Sequence, residues 1–354
     1  MKKQLLSVAI TSAMALPSLA TAGTVTTEGE DLVIKTKGGL EIFTKDKSKS
    51  FKIGGRIQWD YDDTDSDIDS NDEQDFDIRR ARLFAAGHVG DWAFKSQFNL
   101  DDDSVEDLYI RYTGFGKQAN VTVGKQKEPF GLEEQTSSKD ISVLERSAMT
   151  EAYVPGRSAG VQLHGKGSNW TYGVGIFEAN DDAEDTAFTG RVTYAPIKND
   201  DTVVHVGAAF TARDAEVSSD EFDAFGLEAA FVTGPFHAQA EYFDAEDGDV
   251  DVDGYYVQVG YVLTGEMRPY KDGKFKKVKP SGEAGAWEIV ARYEDGHGKY
   301  SDVGLGTDEG SQLAVGVNYY ANSNVRIGLS YMDGETDSSD LNGDELRVRF
   351  QFTF

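Results

Sequence analysis

Apolar side chains alternate with polar or small ones along most of this chain, in runs of about 9 to 11 residues, the length a tilted strand needs to cross a bilayer. A period of two puts successive side chains on opposite faces of a strand, so each run builds a sheet whose two faces differ. Phe51, Ile53, Ile57, Trp59 and Tyr61 share one face of the first run, and Lys52, Gly54, Arg56, Gln58 and Asp60 share the other. Later runs repeat the pattern, as in Trp170/Tyr172/Val174/Ile176, Tyr255/Val257/Val259/Tyr261 and Leu313/Val315/Val317/Tyr319. About sixteen runs can be counted, and aromatics favour their ends, where interface girdles would sit.

Two architectures satisfy such alternation. A β-sandwich buries the apolar face, whereas a closed transmembrane barrel turns it toward lipid and fills its lumen with polar groups. The connections favour the barrel, because long acidic segments alternate with short turns such as Gly90-Asp91, Thr233-Gly234-Pro235 and residues 321–324. The last run, Leu346, Val348, Phe350, Phe352 and Phe354, ends in an aromatic and resembles the assembly signal of bacterial outer-membrane proteins. The fold expected is all-β, a transmembrane antiparallel β-barrel of about 16 strands over residues 51–354.

Lys2 and Lys3, an apolar stretch from Leu5 to Leu19 and the triplet Ala20-Thr21-Ala22 have the order of a secretory signal, so residues 1–22 are expected to be removed. Residues 23–50 are then an N-terminal periplasmic segment. Cysteine is absent, which excludes disulfides and thiolate metal sites.

A formal charge of -27 suggests an acidic soluble protein until it is mapped. Segments 60–77, 101–106, 178–185, 214–223, 244–253, 294–309 and 333–345 hold 41 of the 62 acidic residues and a single base, Lys299. The remaining mature chain carries 21 acids against 32 bases. These segments read as solvated loops around a basic frame.

Two connections break the pattern. Residues 128–157 are long, mixed in charge and partly apolar, and Ile141, Val143, Leu144 and Met149 need something to pack against. The inside wall of a barrel offers it, and a loop folded inward would narrow the lumen; a small extracellular subdomain is the alternative. Residues 264–283, on the short-turn side, hold six bases and three acids and could attract anions at the periplasmic mouth, or form a plain solvated turn.

The chain resembles the phosphate-selective porin O/P family along nearly all of its mature length. The residues that carry the likeness are GTVTTEGEDLVIKTKGGLE at 23–41, FKIGGRIQ at 51–58, Arg79-Arg80-Ala81, YTGF at 112–115, PFGLEEQTSSK at 129–139 with Glu145-Arg146, LTGE at 263–266 and GAWEI at 285–289. The resemblance implies a trimeric sixteen-stranded channel in the outer membrane of a Gram-negative bacterium. It also implies that 128–157 folds into the lumen as a constriction and that 264–283 enters from below. Family anion-path residues fall by motif on Arg56, Arg79, Arg80 and Lys139. Arg79 has the wrong parity for the lumen and needs a bulge or a place beyond the lipid boundary.

The candidate anion pathway is Arg56, Arg79, Arg80, Arg82, Arg111, Lys125, Lys127, Lys139, Arg146 and Arg157. Lys95, Arg191, Arg292, Arg326, Arg347 and Arg349 also have lumen parity, with Asp60, Asp107, Glu228, Glu241, Glu288 and Glu345 as possible structural partners. Phosphate-selective members carry an arginine-rich extracellular loop, but segment 213–224 offers only Arg213 followed by five acids. Small anions such as phosphate are the expected solutes, with lipid and lipopolysaccharide as surroundings. A general diffusion porin and an occluded structural or adhesive barrel are the alternatives. The five histidines form no recognisable set with a nucleophile, which argues against an enzyme, and no cofactor, metal-binding or nucleic-acid motif is present.

Overall fold

The computed structural model describes residues 31–36, 39–66, 73–179, 182–214, 221–247, 250–300, 306–336 and 341–354. The expected signal segment, residues 1–22, lies outside the described residues. In chain order the strands are β1 (Leu32–Lys35), β2 (Leu40–Thr44), β3 (Lys49–Ser66), β4 (Glu73–Val89), β5 (Trp92–Asn99), β6 (Ser104–Tyr112) and β7 (Asn120–Lys127). Then come two short helices, α1 (Leu132–Gln135) and α2 (Ala148–Tyr153), before β8 (Arg157–Lys166), β9 (Trp170–Ala179), β10 (Asp182–Lys198), β11 (Thr202–Asp214), β12 (Glu221–Thr233), β13 (Phe236–Asp247) and β14 (Val250–Val262). A two-stranded hairpin of β15 (Tyr270–Lys271) and β16 (Lys274–Phe275) precedes β17 (Ala286–Tyr300), β18 (Gly306–Tyr320), β19 (Val325–Thr336) and β20 (Leu341–Thr353).

Sixteen of these strands, β3 to β14 and β17 to β20, close into one antiparallel barrel. Closure runs from Thr353 opposite Arg56 to Gly343 opposite Ser66. It is completed by the terminal residue: Gly55 N donates to Phe354 O at 2.9 Å, and Phe354 N to Gly55 O at 3.1 Å. No sheet edge is left between first and last strand, the condition for spanning a bilayer with strands. The hairpin of β1 and β2 joins this sheet, because Leu40–Phe43 pair with Ser50–Ile53 at the short-turn end. β1 and β2 are thus an extension of the barrel wall.

The two faces follow the alternation. Trp59, Tyr293 and Leu313 are 41%, 42% and 48% exposed on the outside, while Gln58, Glu294 and Asn318 are 0%, 1% and 1% exposed within. Exposed apolar and buried polar positions in one closed sheet are the inverse of a sandwich, and suit lipid outside with polar groups inside.

The acidic segments depart from the expected loops. β3 continues to Ser66 and β4 begins at Glu73, and only residues 248–249 separate β13 from β14. Much of the carboxylate fringe therefore sits on strand ends that extend the hairpins. Backbone pairing satisfies its own polar groups there, so acidic side chains do not interrupt it.

Residues 128–156 lie inside the barrel. Phe130 packs with Phe243 and Tyr256, and Val143 with Val290 and Ala314, so apolar loop residues find their partners on the inner wall. Gly254 and Gly296 leave room for Met149, where any Cβ would collide with its sulfur. Wall side chains also satisfy the loop backbone. Glu241 accepts from Leu132 N and Glu133 N at 2.6 and 2.8 Å, which holds the start of α1. Arg326 donates to Ile141 O and Ser142 O at 2.6 and 2.7 Å, and Arg292 to Glu145 O and Arg146 O at 2.9 and 3.1 Å.

The β15–β16 hairpin enters from the opposite end and meets the loop. Phe275 joins Leu132, Val203, Ala230 and Val232 in one buried cluster. Arg268 lies 4.2 Å over the Phe275 ring and donates to Asp140 O at 3.2 Å. The lumen of β11 to β20 is filled by these contacts, and open space is pushed toward β3 to β10.

Candidate functional site

That space is a cavity of about 660 Å³ bounded by the β3 to β10 wall, the inward loop and the hairpin. Thirteen lysines and arginines line it against two aspartates, Asp107 and Asp272. Several of the cations are held by carboxylates: Arg82 by Glu106, Lys95 by Asp107 (2.6 Å), Lys127 and Arg146 by Glu134 (2.7 and 2.9 Å), and Arg157 by Glu106 and Asp107 (2.8 and 3.1 Å). Arg191 pairs with Glu228 at 2.6 Å, Lys166 with Asp272 at 2.7 Å, and Lys276 with Asp140 at 3.4 Å. Within the inward loop, burial alone would raise the Glu134 carboxyl, but Lys127 and Arg146 hold it below its ordinary range.

Arg56, Arg111, Lys117, Lys139 and Lys274 have no carboxylate oxygen within 4.0 Å among the described residues. Arg56 is the most constrained of them. Its position on β3 turns it inward, where it is 6% exposed and stands directly opposite Arg82 of β4. Two like charges at paired positions repel. One Arg56 terminal nitrogen donates to Ser137 Oγ at 3.1 Å, while its Nε has no partner. The Ser138 hydroxyl, 3% exposed, is also without one. Burial lowers the Lys139 ammonium from its usual range, with Asp140 opposing and Arg56 reinforcing the shift. A guanidinium, a hydroxyl and an ammonium thus border one cavity with no carboxylate oxygen within 4.0 Å of either cation among the described residues.

A family model for phosphate-selective porin O and P matches residues 51–224 and 211–354, the whole barrel. The chain belongs to that family. Porin O of Pseudomonas aeruginosa is 33% identical over 98% of each chain, and a Caulobacter vibrioides protein is 29% identical over 81% of this chain and 68% of its own. An anion-selective porin from Comamonas acidovorans has the same fold at a TM-score of 0.60 and 12% identity, covering 86% of this chain and 100% of that one. OmpT of Vibrio cholerae in its trimer form is similar at 0.59 and 14%, covering 87% and 100%. The protein is a porin of the Gram-negative outer membrane.

Among the residues singled out in the porin sequence, Arg56, Arg82, Arg111, Lys127, Lys139, Arg146 and Arg157 line the cavity. Arg79 and Arg80 do not. A register shift between Gln58 and Trp59 makes Arg79 the extra residue of a bulge, and both arginines grip Glu145 of the inward loop. Lys125 is a correction. It pairs with Leu108, which is 53% exposed on the barrel exterior, and cross-strand partners share a face, so Lys125 points outward. Lys117, Lys166, Lys274 and Lys276 line the cavity and were not singled out. The excess of lysine in 264–283 was the available signal for the last two.

Proposed function

We propose that this porin is a passive, anion-preferring channel whose solutes bind at Arg56, Ser138 and Lys139 on their way through the cavity. The observation that carries this is the buried Arg56 guanidinium, which has an Nε without a partner and no carboxylate within 4.0 Å among the described residues. A phosphate oxyanion fits such a group through paired, charge-assisted hydrogen bonds. Arg82, Arg111, Lys127, Arg146 and Arg157 add positive potential along the wall, while Arg79 and Arg80 act through the loop they anchor. The similarity to OmpT in trimer form supports a homotrimer. Acidic strand ends above the aromatic girdle would face the lipopolysaccharide layer and its divalent cations.

A general diffusion porin is favoured by one feature. Arg213, the lone base of 213–224, is engaged with Glu128 at 2.7 Å, so no arginine ladder descends from that segment. Single-channel current in chloride, titrated with phosphate, separates the two. Saturating block is expected of the binding site; unblocked conductance or cation-selective reversal potentials would overturn it.

A further inference from the structure

The cavity has a second wall that an inorganic anion leaves unused. Alongside Arg111, β5 to β8 turn Gln97, Tyr109, Asn120 and Gln162 into the same space, while Arg56 and Lys139 reach it from β3 and the inward loop. The side-chain amides of Gln97 and Gln162 are half-buried, and no hydrogen bond is recorded for either among the described residues. The Tyr109 oxygen accepts from Arg111 at 3.3 Å, which leaves its own hydrogen to donate. Gln162 is seated against Gly173, where a Cβ would stand 3.0 Å from its nitrogen, and Gly173 is cleared for Pro129 as well. The amide thus lies over the space that Gly173 clears on the inner wall and borders the cavity there.

Lys274 joins the two walls. It comes from the hairpin, borders Lys95 and Arg191 closely enough for mutual repulsion, and lacks a carboxylate within 4.0 Å among the described residues. A cavity of about 660 Å³ lies in the range that takes a whole small organic molecule. Amides and a phenol supply paired donors and acceptors to hydroxyl groups, while the cations take charge.

We infer that the solute class of this cavity is a phosphate ester of a polyhydroxylated carbon skeleton, with the phosphate at Arg56, Ser138 and Lys139, the hydroxyls at Gln97, Gln162 and Tyr109, and Lys274 adding positive potential between them. This rests on the anion-binding reading above and goes beyond it by assigning the neutral half of the ligand.

The test is block of chloride current through the full-length porin by glucose 6-phosphate, by orthophosphate and by glucose. Glucose 6-phosphate is expected to block at roughly tenfold lower concentration than orthophosphate, the gain from about two added hydrogen bonds, and glucose to block at neither range. The double variant Gln97→Met and Gln162→Met, which keeps side-chain length, should bring the ratio of the two blocking concentrations close to one. Equal or weaker block by the ester, or a ratio that the variant does not change, would overturn the inference while leaving the anion site standing. Absence of block by both phosphates, together with no anion preference in the reversal potential, would instead remove the reading on which it rests.

Discussion

Arg80 of the barrel wall donates through both terminal nitrogens to the Glu145 carboxylate of the inward loop, at 3.0 and 2.9 Å. Arg79, displaced by the adjoining bulge, reaches the same carboxylate at 3.0 Å, and Arg347 and Arg349 close on it from β20. Burial raises Glu145, but these guanidinium groups hold it well below the usual carboxylate range. One loop carboxylate therefore fixes the inward loop against β4 and β20, the two strands that flank β3 at the barrel seam.

Glu145→Gln leaves those arginines short of a partner in a site where the carboxylate is 16% exposed. Loss of one side of such a network costs about 3 kcal/mol or more. A lower thermal unfolding midpoint and greater open-channel noise are expected. Unchanged noise with a normal midpoint would show that the apolar loop contacts suffice.

Arg56→Gln removes the guanidinium but keeps a polar group in the wall. Phosphate block should weaken roughly ten- to hundredfold, the worth of a charged hydrogen-bonded contact. Arg56→Lys should recover only part of it, because an ammonium cannot make the forked contact. Bilayer titration of the three proteins measures this directly.

Burial pushes the Lys274 ammonium down to about 8, with Lys276 and Arg191 adding repulsion. Lys277 lies at about 8, again chiefly through burial. Each is charged below that pH and neutral above it. Anion over cation permeability should therefore fall as pH rises from about 7 to about 9. Lys274→Arg, always charged, should flatten the fall in reversal-potential measurements, and an unaltered fall would place the titrating group elsewhere.

Phe275→Ala empties a position that is 0% exposed where hairpin and loop meet. The cavity term predicts a loss of about 3 kcal/mol or more. Conductance should rise as the hairpin loosens. A stable protein with unaltered conductance would show that polar contacts such as those of Arg268 and Lys276 suffice to hold the hairpin.

The barrel was legible because its code is local. Alternation along β3, with Phe51 to Tyr61 outward and Lys52 to Asp60 inward, needs no knowledge of any other strand. The same code placed Arg79 on the wrong parity, and the bulge between Gln58 and Trp59 is the structural answer to it. The acidic segments misled, since carboxylates mark exposure to water and are silent on whether the backbone is still paired. Lys125 was misassigned because a basic residue near the constriction loop was counted without its parity.

The sequence by itself determined a polar-lined barrel ending in an aromatic strand, since side-chain period is a property of neighbouring residues. It could not say which inward arginines the folded loop would consume. Arg56 and Arg326 read alike along the chain, each basic and each at lumen parity. Only the folded loop separates them: Arg326 is spent on the carbonyls of Ile141 and Ser142, whereas Arg56 lines the cavity and keeps an Nε without a partner. The reason is distance along the chain, because Arg326 and Ile141 lie 185 residues apart and no local pattern records that they meet.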